Sequence, residues 1–575
     1  MENKDIARLL AQTASLMEIA GEDVFPIRAY KKAAEVIENY PERILDILRD
    51  PRRKVTDIEG IGEKLAAVLA EISQRGSFQR RDLLLAKYPP TALELLDIQG
   101  LGPKTIALLW EHYRVSTIDD LERICLDQKL RVLPRLGAKL EEKILRSIAH
   151  YRRSAGRFLL SFASEVADSL TLYLAQTPGV EKITPAGSFR RAKETVGDLD
   201  LLVTGPAAAA AIDRFTAHPS VTEVLAKGPN KASAKVGSQG IQVDLRALPP
   251  DSYGAALQYF TGSKDHNVAL RTRGLKMGYT LSEYGLFRLD DEARIASRTE
   301  EEIYNQLGLA WIPPELRENQ GEIDAAAEGR LPQLIELSQI RGDLHMHTTE
   351  SDGRASLEEM AQAAQTLGYS YIGISDHSKA MAMTNGLDET RVIAFAKRVR
   401  EINQRGLGIH IFSSIECDIR KDGAMDLAED ALAQLDLVIG SVHSYMNMDA
   451  AEMTDRLLRA LECPCLRVLG HPTGRLLPLR EAFPFDFQRV VRQAVARNVF
   501  LEINASPERL DLCDTLLRSA KPLGARFVIS TDAHHPQHLT NMRYGVSMAR
   551  RGWLEAPDIL NTLPLDQFTQ AIRRN

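Results

Sequence analysis

The chain has few of the features that mark secreted and membrane proteins. Its 575 residues include only five cysteines, which form neither a disulfide framework nor a paired C-x-x-C zinc motif. No apolar run is long enough to span a bilayer, and the polar N-terminus lacks the apolar core of a signal peptide. These absences exclude a disulfide-rich secreted protein, and we expect a cytoplasmic protein with no membrane partner.

The chain also lacks an excess of positive charge. Its 72 Lys and Arg residues are outnumbered by 78 Asp and Glu residues, so the formal net charge is −6. Any contact with nucleic acid must therefore be local, because no global basic field is present. Histidine is unevenly placed, since nine of the 13 lie beyond residue 338, which indicates a separate C-terminal metal domain. The length allows about three to five domains.

Residues 187–203, GSFRRAKETVGDLDLLV, combine two acids with a turn suited to phosphate. Asp198 and Asp200 are one residue apart, so a strand places both carboxylates on one face. Backbone amides and arginines after Gly187 can hold a phosphate, and paired carboxylates can hold Mg²⁺. The combination is typical of nucleotidyl transfer, although D-x-D alone indicates only a solvated acidic strand end.

A third acid, Asp244, lies on another predicted strand, IQVDLRALP, in the region 158–248. The strands VEKITPAGSF and GDLDLLVTG precede it, with helices predicted at 161–176 and at about 207–217. Three acids on adjacent strands can bind two divalent ions. One ion then activates a primer hydroxyl while the other holds a triphosphate.

Residues 1–157 are predicted to be helical and contain a repeated glycine phrase. IEGIGEKLAAVL at 58–69 and IQGLGPKTIALL at 98–109 resemble the helix–hairpin–helix motif, and LPRLGAKLEEKIL at 133–145 is a weaker copy with Arg135 replacing the first glycine. Such glycines allow close approach to a DNA backbone, where helix amides face a phosphate. A single copy fits a plain glycine turn, but repetition favours sequence-independent DNA binding. The residues concerned are Gly60, Gly62, Lys64, Gly100, Gly102 and Lys104.

Residues 187–287 resemble the family X DNA polymerases, the group of polymerase beta. GSFRR, GDLDLL, VDLR, YFTGS and HNVALR occur in the order and spacing of that family. The resemblance implies that Asp198, Asp200 and Asp244 are the catalytic acids, with Mg²⁺ or Mn²⁺ as the metal. It implies contacts to the incoming nucleotide or template from Gly187, Ser188, Arg191, Tyr259, Phe260, Gly262, Asn267 and Arg271. The implied partners are dNTPs and gapped or primed duplex DNA.

The chain departs from the polymerase beta group at several positions. The lysine that forms a Schiff base in the lyase reaction corresponds to Val68, and the His-Lys pair that reads a 5′-phosphate corresponds to Phe25-Pro26. We therefore expect little deoxyribose-phosphate lyase activity. The arginine that usually precedes the third acid by two residues is Gln242, which alters how that carboxylate is held.

From residue 338 onward, apolar strands alternate with helices, and metal-capable residues end nearly every strand. RGDLHMH, YSYIGISDH, GIHIFSSIECD, LDLVIGSVH, LRVLGH, VFLEIN and RFVISTDAH predict a parallel, nearly closed βα barrel with its chemistry at the strand ends. This pattern resembles the PHP (polymerase and histidinol phosphatase) domain. The resemblance implies up to three ions, held by His345, His347, Glu416 and Asp532, by Glu416, His443 and His471, and by Asp352, His377 and His534. Such ligands suit Mn²⁺, Zn²⁺ or Fe²⁺.

The sequence as a whole predicts a multidomain fold. We expect an all-α helix–hairpin–helix region (1–85 and 86–157), an α+β nucleotidyltransferase palm (158–248), a nucleotide- and template-binding subdomain (249–315), a linker (316–337) and a (β/α)7-type PHP barrel (338–575). We expect a monomeric, nucleoid-associated family X polymerase that fills short gaps in base excision repair. Its PHP domain is expected to be a 3′–5′ exonuclease, with blocked-end processing or abasic-site cleavage as further activities. The alternatives are a silent, structural PHP domain and a small-molecule phosphatase joined to a nucleotidyltransferase.

Overall fold

The computed structural model of the chain describes residues 1–573 except 2, 39, 41, 51, 59, 99, 135, 155, 382 and 383. Arg135, the departure from the glycine phrase, thus lies outside the described residues. The chain divides into two compact units, Met1–Ala155 with Pro478–Arg480 and Gly156–Leu477 with Glu481–Asn575. Within the described residues, no helix is long and apolar enough to cross a membrane.

The first unit is helical, as predicted. Its helices are α1 (Asn3–Ile19), α2 (Val24–Glu38), α3 (Ile44–Arg49), α4 (Glu63–Arg75), α5 (Gln79–Lys87), α6 (Pro103–Tyr113), α7 (Ile118–Leu126) and α8 (Ala138–Ser154). Apolar residues at helical spacing face inward and form two cores, which contain Ile37 and Ile72 in one case and Leu109 and Ile144 in the other. Each of the cores lies behind one of the two glycine phrases.

The palm region is built on a five-stranded sheet with the order β2-β4-β7-β6-β5. Its elements are β1 (Phe158–Leu159), α9 (Leu160–Ala175), β2 (Lys182–Pro185), α10 (Gly187–Arg190), β3 (Thr195–Val196), β4 (Asp198–Thr204), α11 (Ala210–Thr216), β5 (Val221–Lys227), β6 (Lys231–Val236) and β7 (Ile241–Leu248). Strands β4 and β7 are parallel neighbours, while the other pairs in this sheet are antiparallel. The pairing of β4 with β7 brings the acidic strands together.

A smaller sheet and several helices follow the palm. They are α12 (Tyr253–Thr261), α13 (Lys264–Lys276), β8 (Tyr279–Ser282), β9 (Gly285–Arg288), β10 (Arg294–Ala296), α14 (Glu300–Gln306) and α15 (Glu322–Ala327). The three strands pair antiparallel in the order β10-β9-β8. Helices α12 and α14 pack together, which places the YFTGS segment beside the sheet of the palm.

Residues 316–337 are packed into the second unit, which differs from the linker between independent units that we expected. Arg317 and Glu322 are buried, and Leu334 belongs to the same apolar core as the smaller sheet. Ile335, one residue later, belongs to the core of the C-terminal barrel. The segment therefore joins two cores directly, with Arg317 and Glu322 buried in ion pairs while most of its other polar residues are exposed.

The C-terminal region forms the predicted barrel of seven parallel strands. Strands and helices alternate: β11 (Gly342–Asp343), α16 (Leu357–Thr366), β12 (Tyr371–Ile374), α17 (Glu389–Arg405), β13 (His410–Asp418), α18 (Glu429–Leu432), β14 (Leu437–Ser441), α19 (Ala450–Ala460), β15 (Val468–Leu469), α20 (Phe487–Ala496), β16 (Phe500–Asn504), α21 (Asp514–Ala520), β17 (Phe527–Ser530), α22 (Met542–Arg551) and α23 (Leu565–Ile572). A parallel bridge between Met346 and Ala533 connects the first and last strands and nearly closes the barrel. The strand ends meet at one mouth, where parallel βα barrels carry their chemistry.

Candidate active sites

The three palm acids lie on the paired strands β4 and β7. The parallel register places Asp200 opposite Asp244 and Asp198 opposite Gln242. Asp198 is exposed at the start of β4, while Asp200 is partly buried. The Asp244 carboxylate is held by Lys231 Nζ at 2.8 Å and accepts a hydrogen bond from Gln242 at 3.2 Å. Gln242 thus takes part in holding the third acid, at the position where the family has an arginine.

The palm carboxylates carry more negative charge than their protein partners balance. Burial and the neighbouring Asp198 raise the pKa of Asp200 to about 6. Burial acts in the same direction on Asp244, but hydrogen bonds from Lys231 and other donors give it a lowered pKa. Among the described residues, these three acids do not form a group whose ligand atoms all lie within 4.8 Å. The crowded charge nevertheless fits a divalent cation, which would relieve it.

The GSFRR segment forms the short helix α10, where we expected a small turn. Gly187 has φ +63°, and a β-carbon there would lie 3.1 Å from Asp200 Oδ2. Only glycine therefore allows this backbone to approach the acid so closely. Ser188 follows in the same helix, so the predicted phosphate contacts and the predicted metal ligands are adjacent.

The two arginines of this segment are bound by carboxylates of the protein. Arg190 forms a bidentate pair with Glu300, with both contacts at 2.8 Å. Arg191, expected at the triphosphate, donates to Glu318 at 3.0 Å and to the backbone carbonyl of Thr261 at 2.6 Å. In this structure the Glu318 carboxylate is thus bound to Arg191, the arginine that we predicted to bind the triphosphate of the nucleotide.

The predicted nucleotide and template residues lie together on α12 and α13. The rings of Tyr259 and Phe260 meet edge to face with 5.1 Å between their centroids. The Arg271 guanidinium lies 5.2 Å from the Tyr259 ring centroid. The side chain of Asn267 donates to the carbonyl of Tyr259 at 2.8 Å. These contacts hold the aromatic pair in one arrangement beside the palm.

All nine predicted barrel ligands meet at the mouth of the barrel, with Glu416 at their centre. Its Oε2 atom lies 3.5 Å from His345 Nε2 and 3.7 Å from His347 Nε2. Its Oε1 atom lies 3.2 Å from His443 Nε2 and 2.9 Å from His471 Nε2. The Oε2 atom also lies 2.9 Å from His377 Nδ1, so each oxygen of the carboxylate faces a different group of histidines, an arrangement that suits a bridging ligand.

Three overlapping groups have ligand atoms within 4.8 Å of one another. They are His347 with Asp352, His377 and His534; His345 with His347 and Asp532; and His377 with Glu416 and His443. His377 belongs to two groups, since its Nε2 lies 3.6 Å from Asp352 and its Nδ1 lies 2.9 Å from Glu416. It was expected with Asp352 and His534 alone.

The ligand cluster contains buried polar atoms that are short of partners. Within the described residues, five ring nitrogens are buried without a hydrogen-bond partner: His345 Nε2, His347 Nδ1, His377 Nδ1, His443 Nε2 and His471 Nδ1. Buried nitrogens are normally bonded, so such a concentration calls for an explanation. Imidazole nitrogens and carboxylates around one cavity fit first-row transition metals, and we regard the cluster as a site for them.

The electrostatics of the cluster also fit cations. Although burial raises their pKa values, Glu416 and Asp532 have pKa values well below the ordinary range because histidines surround them. Burial and neighbouring histidines lower the pKa of His347 to about 3, so its imidazole is neutral. Ionised carboxylates and neutral imidazoles are the forms that bind metal. Although burial lowers their pKa values, neighbouring carboxylates raise the pKa of His443 and of His534 to about 9, so metal binding there would release protons.

Two carboxylates, Glu502 and Asp418, hold ligating histidines from the side away from the cavity, a role that was not predicted for either of them. Glu502, which is fully buried on β16, hydrogen-bonds His345 Nδ1 at 2.7 Å and accepts from the His471 backbone N–H at 2.6 Å. Asp418 bonds His443 Nδ1 at 3.2 Å. Such partners fix the tautomer and orientation of a ligating histidine. The strand VFLEIN carries a signal for this role, since Glu502 and Asn504 share one strand face at the end of an apolar run.

The two complete glycine phrases of the first unit form turns before α4 and α6. Gly60 and Gly100 have φ values of +92° and +104°, and a β-carbon would approach Val36 or Leu140 to 3.3 or 3.1 Å. Gly62 and Gly102 are the N-cap residues of the following helices, with open space where a β-carbon would lie. Lys64 and Lys104 are exposed in the first helical turns. Free helix amides, open glycines and a lysine suit a phosphate backbone.

Models of known families match four parts of the chain. A helix-hairpin-helix domain matches residues 1–78, and a SAM-like helix-hairpin-helix tandem matches residues 92–149. The DNA polymerase beta thumb matches residues 256–318, and the PHP domain matches residues 343–506.

Curated proteins match the chain over its whole length or over parts of it. The DNA polymerase/3′-5′ exonuclease PolX of Bacillus subtilis is 35% identical over 576 aligned residues, which cover 100% of both chains. DNA polymerase lambda of Rattus norvegicus is 24% identical, covering 55% of this chain and 56% of its own. A probable phosphatase of Caldanaerobacter subterraneus is 29% identical over 33% of this chain and 75% of its own. The first match covers the palm and the barrel in one alignment.

Proposed function

Because the chain belongs to the family X DNA polymerases that carry a C-terminal PHP domain, we propose that its two reactions use two separate sites. The protein is a DNA polymerase with 3′–5′ exonuclease activity, and both activities depend on metal. Synthesis is assigned to Asp198, Asp200 and Asp244, and hydrolysis to the nine ligands at the barrel mouth. The main support for this assignment is that two sets of metal-capable side chains are associated with two different sheets. One set contains only carboxylates, and the other combines histidines with carboxylates.

In the palm, the chain's own residues position the acids and the nucleotide. Mg²⁺ or Mn²⁺ bound by the acids supplies a more acidic primer hydroxyl and a counter-charge for the triphosphate. Asp200 and Asp244 face each other across paired strands, so both carboxylates point toward one place. Lys231 neutralises the charge of Asp244, which would be one of the carboxylates holding a divalent ion. Gly187, Ser188 and Arg191 receive the phosphates, after Arg191 exchanges its bond to Glu318 for one to the nucleotide.

At the barrel mouth, buried residues orient the ligands and exclude bulk water. Up to three ions, Mn²⁺, Zn²⁺ or Fe²⁺, supply a water nucleophile that is ionised near neutral pH and charge neutralisation at the scissile phosphate. Glu416 directs one oxygen to His345, His347 and His377 and the other to His443 and His471. Glu502 and Asp418 fix the ring orientations of His345 and His443, which keeps the ligand nitrogens directed at the cavity.

The hairpins of the first unit hold the substrate. Gly60, Gly62 and Lys64, together with Gly100, Gly102 and Lys104, contact the backbone of gapped or primed duplex DNA without reading its sequence. Binding of this kind suits an enzyme that fills short gaps wherever repair leaves them. We propose that the chain acts as a monomer, with the domain limits given above except that residues 316–337 belong to the folded unit.

Paired double variants test the assignment of the two sites. Asp198→Ala with Asp200→Ala should abolish primer extension and retain 3′–5′ degradation, because the barrel ligands are unchanged. His345→Ala with His347→Ala should abolish degradation and retain extension. Both reactions are measured on one labelled gapped duplex with dNTPs and either Mg²⁺ or Mn²⁺.

Two single variants serve as matched controls for that assay. Asp213→Ala removes an exposed acid of the palm region, and His410→Ala removes a barrel histidine outside the ligand set. Each should retain both reactions. If one double variant lost both activities while its circular dichroism spectrum and melting temperature stayed unchanged, the two-site assignment would be wrong.

A further inference from the structure

A cleft beside the barrel ligands is not accounted for by metal binding. It has a volume of about 720 Å³, and its lining includes Met381, Asp418, Lys421, Ser444 and Tyr445 together with an ion pair between Arg420 and Asp422 at 3.7 Å. Asp418 is also the residue that hydrogen-bonds His443 Nδ1. One wall of the cleft is therefore shared with the ligand cluster, and a molecule in the cleft lies next to the hydrolytic site.

Tyr445 gives the cleft an exposed aromatic face. Its side chain is 57% exposed, although it follows the ligand His443 by only two residues. Its backbone has φ +51°, a region that residues other than glycine rarely adopt and that often marks functional positions. Lys421 Nζ lies 5.6 Å from the centroid of the ring. An exposed ring with an adjacent cation is the usual equipment for holding single-stranded nucleic acid.

A buried arginine fixes the two rims of the cleft. Arg456 is fully buried in α19 and donates to the backbone carbonyls of Ile419, Arg420 and Ser444, the last two at 2.9 Å each. Burying a guanidinium is unfavourable unless its donors are bonded, and here they are bonded to loop carbonyls. Because one side chain holds both segments, the spacing between Lys421 and Tyr445 is built into the fold.

We propose that Tyr445 stacks on an unpaired base near the 3′ end of the strand that the barrel degrades. Lys421, the cation beside the ring, lies next to the backbone of that nucleotide. Stacking tolerates any sequence, since every base has a π face. It also gives the exonuclease a preference for frayed or single-stranded 3′ ends, because a paired base is not free to enter the cleft. The proposal rests on the assignment of hydrolysis to the barrel.

The test removes the Tyr445 ring by substitution and removes single bases from the DNA by using abasic residues. Degradation in Mn²⁺ is measured with the full chain on single-stranded oligonucleotides that are normal or that carry one abasic residue at each of the last three positions. Tyr445→Ala should raise KM for the normal strand about tenfold, as expected for the loss of one base–aromatic stack, with little change in kcat. With one of the abasic strands, wild type and variant should give equal KM values. Tyr445→Phe should retain the wild-type KM.

A control variant and several possible results decide whether Tyr445 stacks on a base. Tyr284→Ala removes another exposed tyrosine of the second unit and should leave degradation unchanged. The stacking role would be overturned if Tyr445→Ala raised KM equally on all strands. It would also be overturned if Tyr445→Phe raised KM as much as Tyr445→Ala does, or if Tyr445→Ala left KM unchanged. Degradation that persists in the His345→Ala, His347→Ala variant would instead overturn the barrel assignment, and this proposal with it. Primer extension by each variant reports that the protein is folded.

Discussion

Glu502 lies behind two histidines of the barrel and contributes no atom to the proposed metal groups. It bonds the ring of His345 and the backbone of His471, and both of its oxygens are engaged. The carboxylate also acts, together with Glu416, to raise the pKa of His345 well above its usual value against the effect of burial. A carboxylate in this position makes the opposite ring nitrogen a stronger and better directed ligand.

Glu502→Gln should weaken metal binding by about 10–100-fold, because the amide keeps the shape but loses the charge that orients His345. The measurement is the Mn²⁺ concentration needed for half-maximal degradation, together with calorimetric titration of Mn²⁺. Saturating Mn²⁺ should restore most of the degradation, and primer extension should not change. Glu508→Gln, at an exposed position nearby, is the control. An unchanged Mn²⁺ requirement would contradict the role given to Glu502.

Single residues differ in how far the sequence reveals them. Asp198 and Asp200 were predictable because a period of two fixes their common face in any strand. The bond between Arg191 and Glu318 was not, since 127 residues separate the partners and either could have faced solvent. Glu502 lay in a predicted strand, but a buried acid behind a ligand has the same local pattern as a ligand itself.

Helix α14 begins at a carboxylate that ties three segments together. Glu300, in its first turn, receives Arg190 from α10, buried Arg317 and the indole N–H of Trp311. Although burial raises its pKa, the two guanidinium groups lower the pKa of Glu300 to about 2. An acid in the first turn is also favoured by the helix dipole. The helix therefore connects the GSFRR segment to residues 313–337.

The depressed pKa of Glu300 predicts a stability that depends on pH. A carboxyl whose pKa is lower in the folded state stabilises the fold at pH values above its unfolded pKa, about 4.5. This contribution, about 3 kcal/mol from the size of the shift, is lost as the pH falls from about 4.5 toward 2. Glu300→Gln should therefore lower the melting temperature at pH 7, and its difference from wild type should shrink below pH 4.5.

The control for that comparison is Glu301→Gln, an exposed acid in the same helical turn. It should change the melting temperature little at any pH, because a solvated carboxylate has no comparable partners. Thermal scans from pH 7 to pH 3 distinguish the two variants. A Glu300→Gln difference that stays constant over this range would show that the carboxylate charge does not provide the stability.

Elements with a clear period or a clear function were predictable, and others were not. The barrel strands were recognisable because their apolar runs end in metal-capable residues, and the confirmed parallel order follows from their alternation with helices. The hairpin of β5 and β6 was not predicted. Most of β5 is exposed, so VTEVLAK shows no alternation between apolar and polar residues.

At the scale of the whole second unit, Arg551 on helix α22 of the barrel contacts residues of the polymerase region. Its side chain is only 2% exposed and forms ion pairs with Glu318 and Asp514. It also donates to the backbone carbonyl of Arg191 at 2.7 Å. The same Glu318 holds the side chain of Arg191, so a barrel residue and a predicted nucleotide contact share one carboxylate. A separation of 360 residues between Arg551 and Arg191 left no local pattern from which to predict this contact.

The sequence alone suggested a polymerase and a barrel joined by a linker. In the structure, the contacts of Arg551 connect the barrel directly to the polymerase region. Arg475 of the barrel adds a second connection, since it pairs with Glu194 of the palm at 2.8 Å. A change at a buried barrel residue should therefore alter nucleotide binding, although that residue makes no predicted contact with the nucleotide. A substitution at Arg551 tests this expectation with synthesis as the readout.

Arg551→Met should destabilise the second unit by about 1–3 kcal/mol, because it leaves the partly buried Glu318 and Asp514 without their shared cation. Glu318 then has Arg191 as its main partner, so Arg191 is less available to the triphosphate and KM for dNTPs should rise several-fold. Arg543→Met on the same helix removes an exposed pair with Asp168 at 3.7 Å and should cost at most about 1 kcal/mol. Thermal melting and single-nucleotide insertion kinetics measure both effects. Equal melting temperatures and equal KM values for the two variants would mean that the barrel and the palm are not coupled through Arg551.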